Sequence, residues 1–225
     1  MNKSLLVLLC LILHFTNLTG QNNHLSIGCN DCGICIGNSV NCNGMRMNVI
    51  DRNVNTINGS NFSIYSEASQ SNGLKFSIQS SSEKVNGINI AVWGLDDSVS
   101  NGITLATGAY SHLINGIGIG LLGCSGKRMN GLFFSGLIGT RISSSVISEE
   151  INGVILGIIG GAFCKELNGL AVGGINMIEK QNGVVIGISN ETTELHGIQF
   201  GIWNKALNNR RLKGFPIVNF NFRKR

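Results

Sequence analysis

The sequence predicts an all-β fold, a β-solenoid of about 13 short strands that recur with a period of ~14 residues. Three observations predict this fold. The dipeptide Asn-Gly recurs along the chain, apolar residues alternate with other residues after each glycine, and the 31 glycines among 225 residues would weaken any helix. Only 13% of the residues are charged while 43% are hydrophobic, which is typical of a folded chain rather than a disordered one.

The repeat is marked by glycines, most of which follow an asparagine. Successive glycines are mostly 14 or 15 residues apart, and one step of 22 residues contains the polar stretch 141–150, predicted to be a protruding loop. Because Asn and Gly both tolerate positive φ, each pair is predicted to be a turn element. The predicted turn glycines are Gly44, Gly59, Gly73, Gly87, Gly102, Gly116, Gly131, Gly153, Gly169, Gly183 and Gly197.

Apolar residues occupy the first, third and fifth places after most of these glycines. Gly116, for example, is followed by Ile117, Ile119 and Leu121, with Gly120 between the last two. A period of two is the pattern of a β-strand with one buried face. We therefore expect two sheets to face each other across a core of Ile, Leu, Val and Phe, with the small residue on the opposite face. One repeat per coil and two repeats per coil both fit the spacing.

Two other all-β architectures fit part of the pattern. Asn-Gly is a strong hairpin signal, which favours an antiparallel meander, but the residues before each pair are more polar than the strand after it. Alternating apolar and small residues also suit a β-barrel, either closed in solution or in a membrane. A membrane strand needs about 9 to 11 residues and aromatic girdles, whereas these strands are shorter and aromatic residues make up 6% of the chain.

The N-terminus is predicted to be a secretory signal peptide. Lys3 precedes an apolar run from Leu5 to Leu13, and Thr19-Gly20 offers a cleavage site. The run is about half of the ~20 residues that a membrane helix needs, so no transmembrane helix is expected after signal cleavage. The predicted organisation is 1–20 signal peptide, 21–42 Cys-rich cap with a first divergent repeat, 43–222 Asn-Gly repeat domain and 223–225 basic tail.

Six of the seven cysteines follow the predicted signal peptide, and an even number in an exported chain favours disulfides. The first four are predicted to tie a cap onto the first coil, in preference to a metal or iron–sulfur site. The last two are either a further pair or small buried residues. The candidate disulfide cysteines are Cys29, Cys32, Cys35, Cys42, Cys124 and Cys164.

No constellation of catalytic side chains is recognisable, so the chain is predicted not to be an enzyme and to need neither cofactor nor metal. His24, His112 and His196 are far apart, and none has a triad-like order with a nucleophile and an acid. The acidic pairs Asp96-Asp97 and Glu149-Glu150 are predicted to be solvated in loops. No basic stripe with interleaved aromatic residues runs along the chain, which argues against a nucleic-acid partner.

The leading functional hypothesis is an exported binding or structural module. Loops along a stack of coils allow an extracellular or envelope component, protein or glycan, to lie across several coils at once. The alternatives are an outer-membrane β-barrel and a polysaccharide-active β-helix enzyme. Such an enzyme gathers Asp, Lys or Arg on one sheet face, and the predicted strands offer only the isolated Arg46 and Lys75.

The last repeats carry a motif of their own, Gly-Ile-Gln-Phe-Gly-Ile-Trp-Asn at 197–204 and Gly-Phe-Pro-Ile-Val-Asn-Phe-Asn-Phe at 214–222. They resemble bacterial surface-repeat proteins whose unit reads Gly-Leu-Gln-Ile-Gly-Leu-x-Asn and whose arrays close on a strand that ends in Asn and an aromatic residue. The resemblance covers roughly residues 33–222. It implies export to the cell surface or outer membrane, or secretion, and it implies a location more than an activity.

Overall fold

The computed structural model describes residues 24–28, 32–137, 148–210 and 213–222, and all regular structure in those residues is β. Its eight strands form one sheet in which each strand pairs with the next in sequence. The predicted signal peptide, most of the predicted loop at 141–150 and the basic tail lie outside the described residues. The strands are β1 (His24–Ile27), β2 (Cys32–Gly37), β3 (Asn41–Ile50), β4 (Val54–Ser135), β5 (Ser148–Gly157), β6 (Gly160–Val172), β7 (Ile175–Ala206) and β8 (Gly214–Asn221).

The strands from β2 to β7 stack in parallel, which confirms the predicted β-solenoid. Each glycine of the series lies beside the glycine of the previous repeat, as Gly44 does beside Gly33. One repeat therefore makes one coil, and the antiparallel meander is wrong. The sequence predicts separate short strands, but in the structure several of them join into longer ones. β4 alone runs for 82 residues through several coils. The 22-residue step keeps the register, since Gly131 lies beside Gly153.

The Asn-Gly pairs hold the coils in register through two ladders, one of asparagine side chains and one of glycine backbones. Along the series from Asn43 to Asn182, the side-chain Nδ2 of each asparagine donates to Oδ1 of the asparagine one coil earlier, at 2.6–2.9 Å. The glycines have positive φ, as predicted, but they lie within strands rather than in turns between strands. A Cβ on Gly116 would lie 2.2 Å from the carbonyl oxygen of Gly102, so the backbones approach too closely for a side chain.

An antiparallel strand closes each end of the stack. β1 pairs antiparallel with β2, and β8 pairs antiparallel with β7. The end of a parallel stack exposes unpaired backbone groups that invite further strands. Each added strand ends the parallel ladder, and the two added strands are short, with 4 residues in β1 and 8 in β8.

The prediction that the apolar places after each glycine face the core is wrong. In the coil that begins at Gly87, Asn89 and Ala91 are 1% and 0% exposed, whereas Ile88 and Val92 are 40% and 54% exposed. A coil of 14 or 15 residues encloses a narrow interior, which suits the small and polar residues between the large apolar ones. The alternation has the same period for either face, so the sequence alone does not distinguish inside from outside.

The apolar interior is concentrated in the later coils. The second place before each glycine points inward there and, except for the buried Gln181, is filled by large apolar side chains such as Ile114, Met129 and Leu195, all 0% exposed. These coils share one cluster of buried apolar residues that includes Phe133 and Ile155. A second, small cluster of buried apolar residues lies in the earlier coils and consists of Val54, Ile57 and Ala68.

Candidate functional site

The first candidate surface is the outer row of apolar side chains. We define the apolar face as the first, third and fifth places after each of the twelve glycines from Gly33 to Gly197. These 36 places contain no Asp, Glu, Lys, Arg or His, and the polar residues among them are Asn38, Ser60 and Thr107. Alternation along each strand points these side chains to one side of the sheet. The result is an uncharged surface that runs from the first coil to the last.

The end strands continue the apolar face. In β1, Leu25 lies beside Ile36 and Ile27 lies beside Ile34, and both β1 side chains are more than half exposed. In β8, Phe220 lies beside Ile198 and is also more than half exposed. Residues directly opposite each other in an antiparallel pair project to the same side of the sheet. Because β4 and β7 each run through several coils, we count one strand for each of the twelve coils and add the two end strands β1 and β8. Counted in this way, the face spans fourteen strands.

The second candidate surface is a charged corner on the other side of each coil. We define it as the third and fourth places before each glycine, where two successive residues both point outward. In the later coils these places hold a mixture of signs, and ion pairs join neighbouring coils. The pairs are Arg128 to Glu150 at 3.1 Å, Lys165 to Glu149 at 4.0 Å and Lys180 to Glu166 at 3.0 Å. Exposed ion pairs of this kind typically contribute 0 to about 1 kcal/mol.

A shallow depression follows the charged corner. It is lined by Glu149, Lys165, Glu179 and Glu194, among others, and has a volume of ≈ 730 Å³. His112 lines a neighbouring depression of ≈ 420 Å³. Because the charges along the corner alternate in sign and are partly paired, the corner has the character of a solvated surface.

A buried ion pair lies inside the first coils, which is a feature that the sequence analysis missed. Arg46 and Asp51 approach to 3.0 Å, and both side chains are 0% exposed. Arg46 also donates to the backbone oxygen and the hydroxyl of Ser39 and to Oδ1 of Asn38. Asn61 donates to the second carboxylate oxygen of Asp51 at 2.9 Å. Both charged groups are thus surrounded by hydrogen-bond partners, which a buried ion pair requires in order to be tolerated.

A second pair of buried charges lies in the following coils. Lys75 is 0% exposed and donates to Ser82 Oγ, and Asp97 is 1% exposed. Burial lowers the pKa of Lys75, while the negative charges of Asp97 and Asp51 act against that shift. Burial raises the pKa of Asp97, while the positive charge of Lys75 and hydrogen bonds act against it. The prediction that Asp97 is solvated in a loop is therefore wrong, although its neighbour Asp96 is exposed.

The buried position of Arg46 and Lys75 bears on the polysaccharide-enzyme alternative. These are the two strand cations that the alternative would use, and both lie in the interior, so neither contacts a polymer at the surface. Glu149 and Glu150 are the other predicted acidic pair, and they belong to the charged corner. Among the residues that the structure describes, no three His, Cys, Asp or Glu side chains are grouped as a metal site would require.

The cysteines have three different environments. Cys35 and Cys42 form a disulfide with Cα atoms 6.3 Å apart, which confirms the disulfide prediction for this pair. Cys32 is exposed and free, and Cys29 lies outside the described residues. Cys124 and Cys164 are buried and free, so the idea that they form a further pair is wrong. Burial raises the pKa of Cys124 to about 12, which leaves it as a thiol at neutral pH.

Substitution of Lys75 by Met is expected to make the stability of the early coils more dependent on pH. Loss of the cation removes an attraction that opposes the raised pKa of Asp97, so that pKa rises further. A carboxyl whose folded pKa exceeds its unfolded value stabilises the fold fully below the unfolded pKa, near 3.8, and this contribution falls as the pH rises toward the folded pKa. The expected fall is about 1.4 kcal/mol for each pKa unit.

The measurement is the urea midpoint of Lys75→Met between pH 4 and pH 8. We expect the midpoint to fall with pH more steeply than in the wild-type protein. Lys84→Met is the control, because Lys84 is exposed on the charged corner and its removal leaves the interior unchanged. Parallel profiles for Lys75→Met and Lys84→Met would show that Lys75 and Asp97 are not coupled.

Comparison with protein-family models, with curated proteins and with solved structures finds no match to this chain. Among the described residues, no helix has the length and apolar character needed to cross a membrane.

Proposed function

We propose that this protein is an exported binding or structural module of the cell surface or outer membrane, or a secreted one, and that it has no catalytic activity. It functions by docking its apolar face against another molecule. The apolar N-terminal run and the resemblance to bacterial surface-repeat proteins support export. The docking role depends on one observation, the uncharged face of fourteen strands.

The size of the apolar face supports the docking role. Fourteen strands spaced by ~4.8 Å extend over about 62 Å, and five residues along each strand extend over about 13 Å. The face therefore covers about 800 Å². The largest apolar patch on a typical monomeric soluble protein is about 300–600 Å² and is often functional. A face of this size left in water would cost free energy and promote aggregation, so a partner is expected to cover it.

The location is tested by protease treatment of intact cells, followed by detection with an antibody against the repeat domain. We expect the antibody signal to disappear while the cells remain intact. Digestion of a periplasmic marker in the same sample would reveal leaky cells. If the repeat domain is protected until the cells are lysed, it does not face the outside and the surface location is wrong.

The docking role is tested by chemical cross-linking on intact cells, with Leu105→Lys as the variant. Leu105 is 37% exposed in the middle of the apolar face, so the new charge disturbs the face rather than the interior. We expect the wild-type protein to appear in complexes of higher mass and Leu105→Lys to be largely absent from them. Thr193→Lys on the charged corner is the control and should behave like the wild-type protein. Equal cross-linking of all three proteins would contradict docking through the apolar face.

A further inference from the structure

We propose that the partner of the apolar face is a second copy of this chain, packed face to face about a two-fold axis so that the two stacks run in opposite directions. This inference rests on the proposed function, because it names the molecule that covers the face. The interface is isologous, meaning that the same surface of each copy contributes to it.

The absence of charge makes the face self-complementary. When the stacks run in opposite directions about an axis along the strands, each row of the face meets the same row of the second copy, so a charged row would place like charges together. None of the 36 places of the apolar face holds an ionisable side chain. Because the face is also nearly uniform along its length, the two copies remain in apolar contact over all fourteen strands when the stacks run in opposite directions.

The area and the shape agree with a stable dimer. A standard protein–protein interface buries about 800 Å² on each partner, and the apolar face covers about that area by the strand dimensions. Two sheets that pack face to face lie ~10 Å apart with interdigitated side chains. The third places after the glycines supply large side chains for such packing, among them Phe62, Phe76, Phe134 and Phe200.

The borders of the face favour a second copy over a lipid surface. Amphipathic helices that lie on membranes carry Lys or Arg beside their apolar side, where these residues reach lipid headgroups, and a sheet face on a membrane is expected to need the same residues. One border of this face is the row of residues before the glycines, which is Asn in ten of the twelve coils, Cys32 in the first and His196 in the last. The other is the sixth place after each glycine, which holds no Lys or Arg in any of the twelve coils. The ends of the stack are a poorer route to association, because the short strands β1 and β8 occupy them.

Sedimentation equilibrium of the purified mature chain tests the inference. We expect the wild-type protein to have twice the chain mass at micromolar concentration, and Leu105→Lys to dissociate at least tenfold more readily. In a dimer with opposed stacks, Leu105 lies close to the axis, so two new lysines approach each other across the interface. Thr193→Lys should remain dimeric, and circular dichroism should show the same β content for all three proteins.

A second variant keeps the test decisive if Leu105→Lys does not fold. Ile186→Lys introduces the charge in a distant coil, at a side chain that is 42% exposed, and should also weaken the dimer. A wild-type protein that is monomeric at all concentrations overturns the inference. If that monomer binds vesicles of anionic phospholipid through the face, the partner is lipid and the inference is again wrong. A monomeric purified chain that still forms face-dependent cross-links on cells leaves the proposed function standing without the dimer.

Discussion

Gly116→Ala is expected to destabilise the repeat domain by about 4 kcal/mol. Gly116 has a φ of 122°, a region in which residues other than glycine are strained by roughly 1–3 kcal/mol. The added Cβ would lie 2.2 Å from the carbonyl oxygen of Gly102 in the coil before it. Relief of that overlap requires the coils to separate, at an overpacking cost of roughly 1–3 kcal/mol. Thermal and urea unfolding of the purified chain measure the loss.

Two other glycines provide matched controls for Gly116→Ala. A Cβ on Gly94 or on Gly108 would have no atom within 4 Å, and neither residue has positive φ. Gly94→Ala and Gly108→Ala are therefore expected to change the free energy of unfolding by less than about 1 kcal/mol. If all three substitutions had equal effects, close backbone contact at Gly116 would not be the reason for the loss.

Asp51→Ala is expected to cost about 3–5 kcal/mol, the usual effect of leaving one member of a buried ion pair without its partner. The Arg46 guanidinium would remain in the interior with its charge uncompensated, since both side chains are 0% exposed. Because coils in a repeat stack contact mainly their neighbours, the loss should be concentrated in the first coils. Hydrogen exchange should show faster exchange near β3 and a smaller change in β7.

The controls for Asp51→Ala use an exposed pair and a double variant. Glu150→Ala removes the partner of Arg128, whose side chain is 62% exposed, and should cost less than about 1 kcal/mol. Arg46→Met combined with Asp51→Leu removes both buried charges and should recover most of the stability, since an apolar pair of similar volume often replaces a buried ion pair without loss. A double variant as unstable as Asp51→Ala would mean that the loss comes from the other hydrogen bonds of Asp51.

The sequence was sufficient to predict the solenoid, because spacing and period are local properties of the chain. The step from Asn101-Gly102 to Asn115-Gly116 indicates one coil, and the alternation after Gly116 indicates a strand. Which side of that strand faces inward depends on the size of the coil interior, which local periodicity does not contain. The alternation therefore predicts Ile117 and Ile119 in the core, whereas in the structure they belong to the apolar face.

The contacts of the interior charges were even harder to predict from the sequence than the orientation of the strands. The partnership of Arg46 and Asp51 requires the chain to fold back within one coil, and no motif marks it. The sequence does contain a signal, which is a charged residue between two outward apolar residues, as in Met45-Arg46-Met47 and Leu74-Lys75-Phe76. The even number of cysteines predicted a disulfide, but four cysteines in the cap allow three pairings. The pairing of Cys35 with Cys42 therefore had to come from the structure.

The correspondence of one repeat with one coil has a consequence for how such a chain can evolve. Duplication of a single unit of 14 residues would add one rung between the two end strands without altering any other rung. Each duplication would lengthen the molecule by ~4.8 Å. The number of copies of this short DNA segment in the gene would then set the length of the protein.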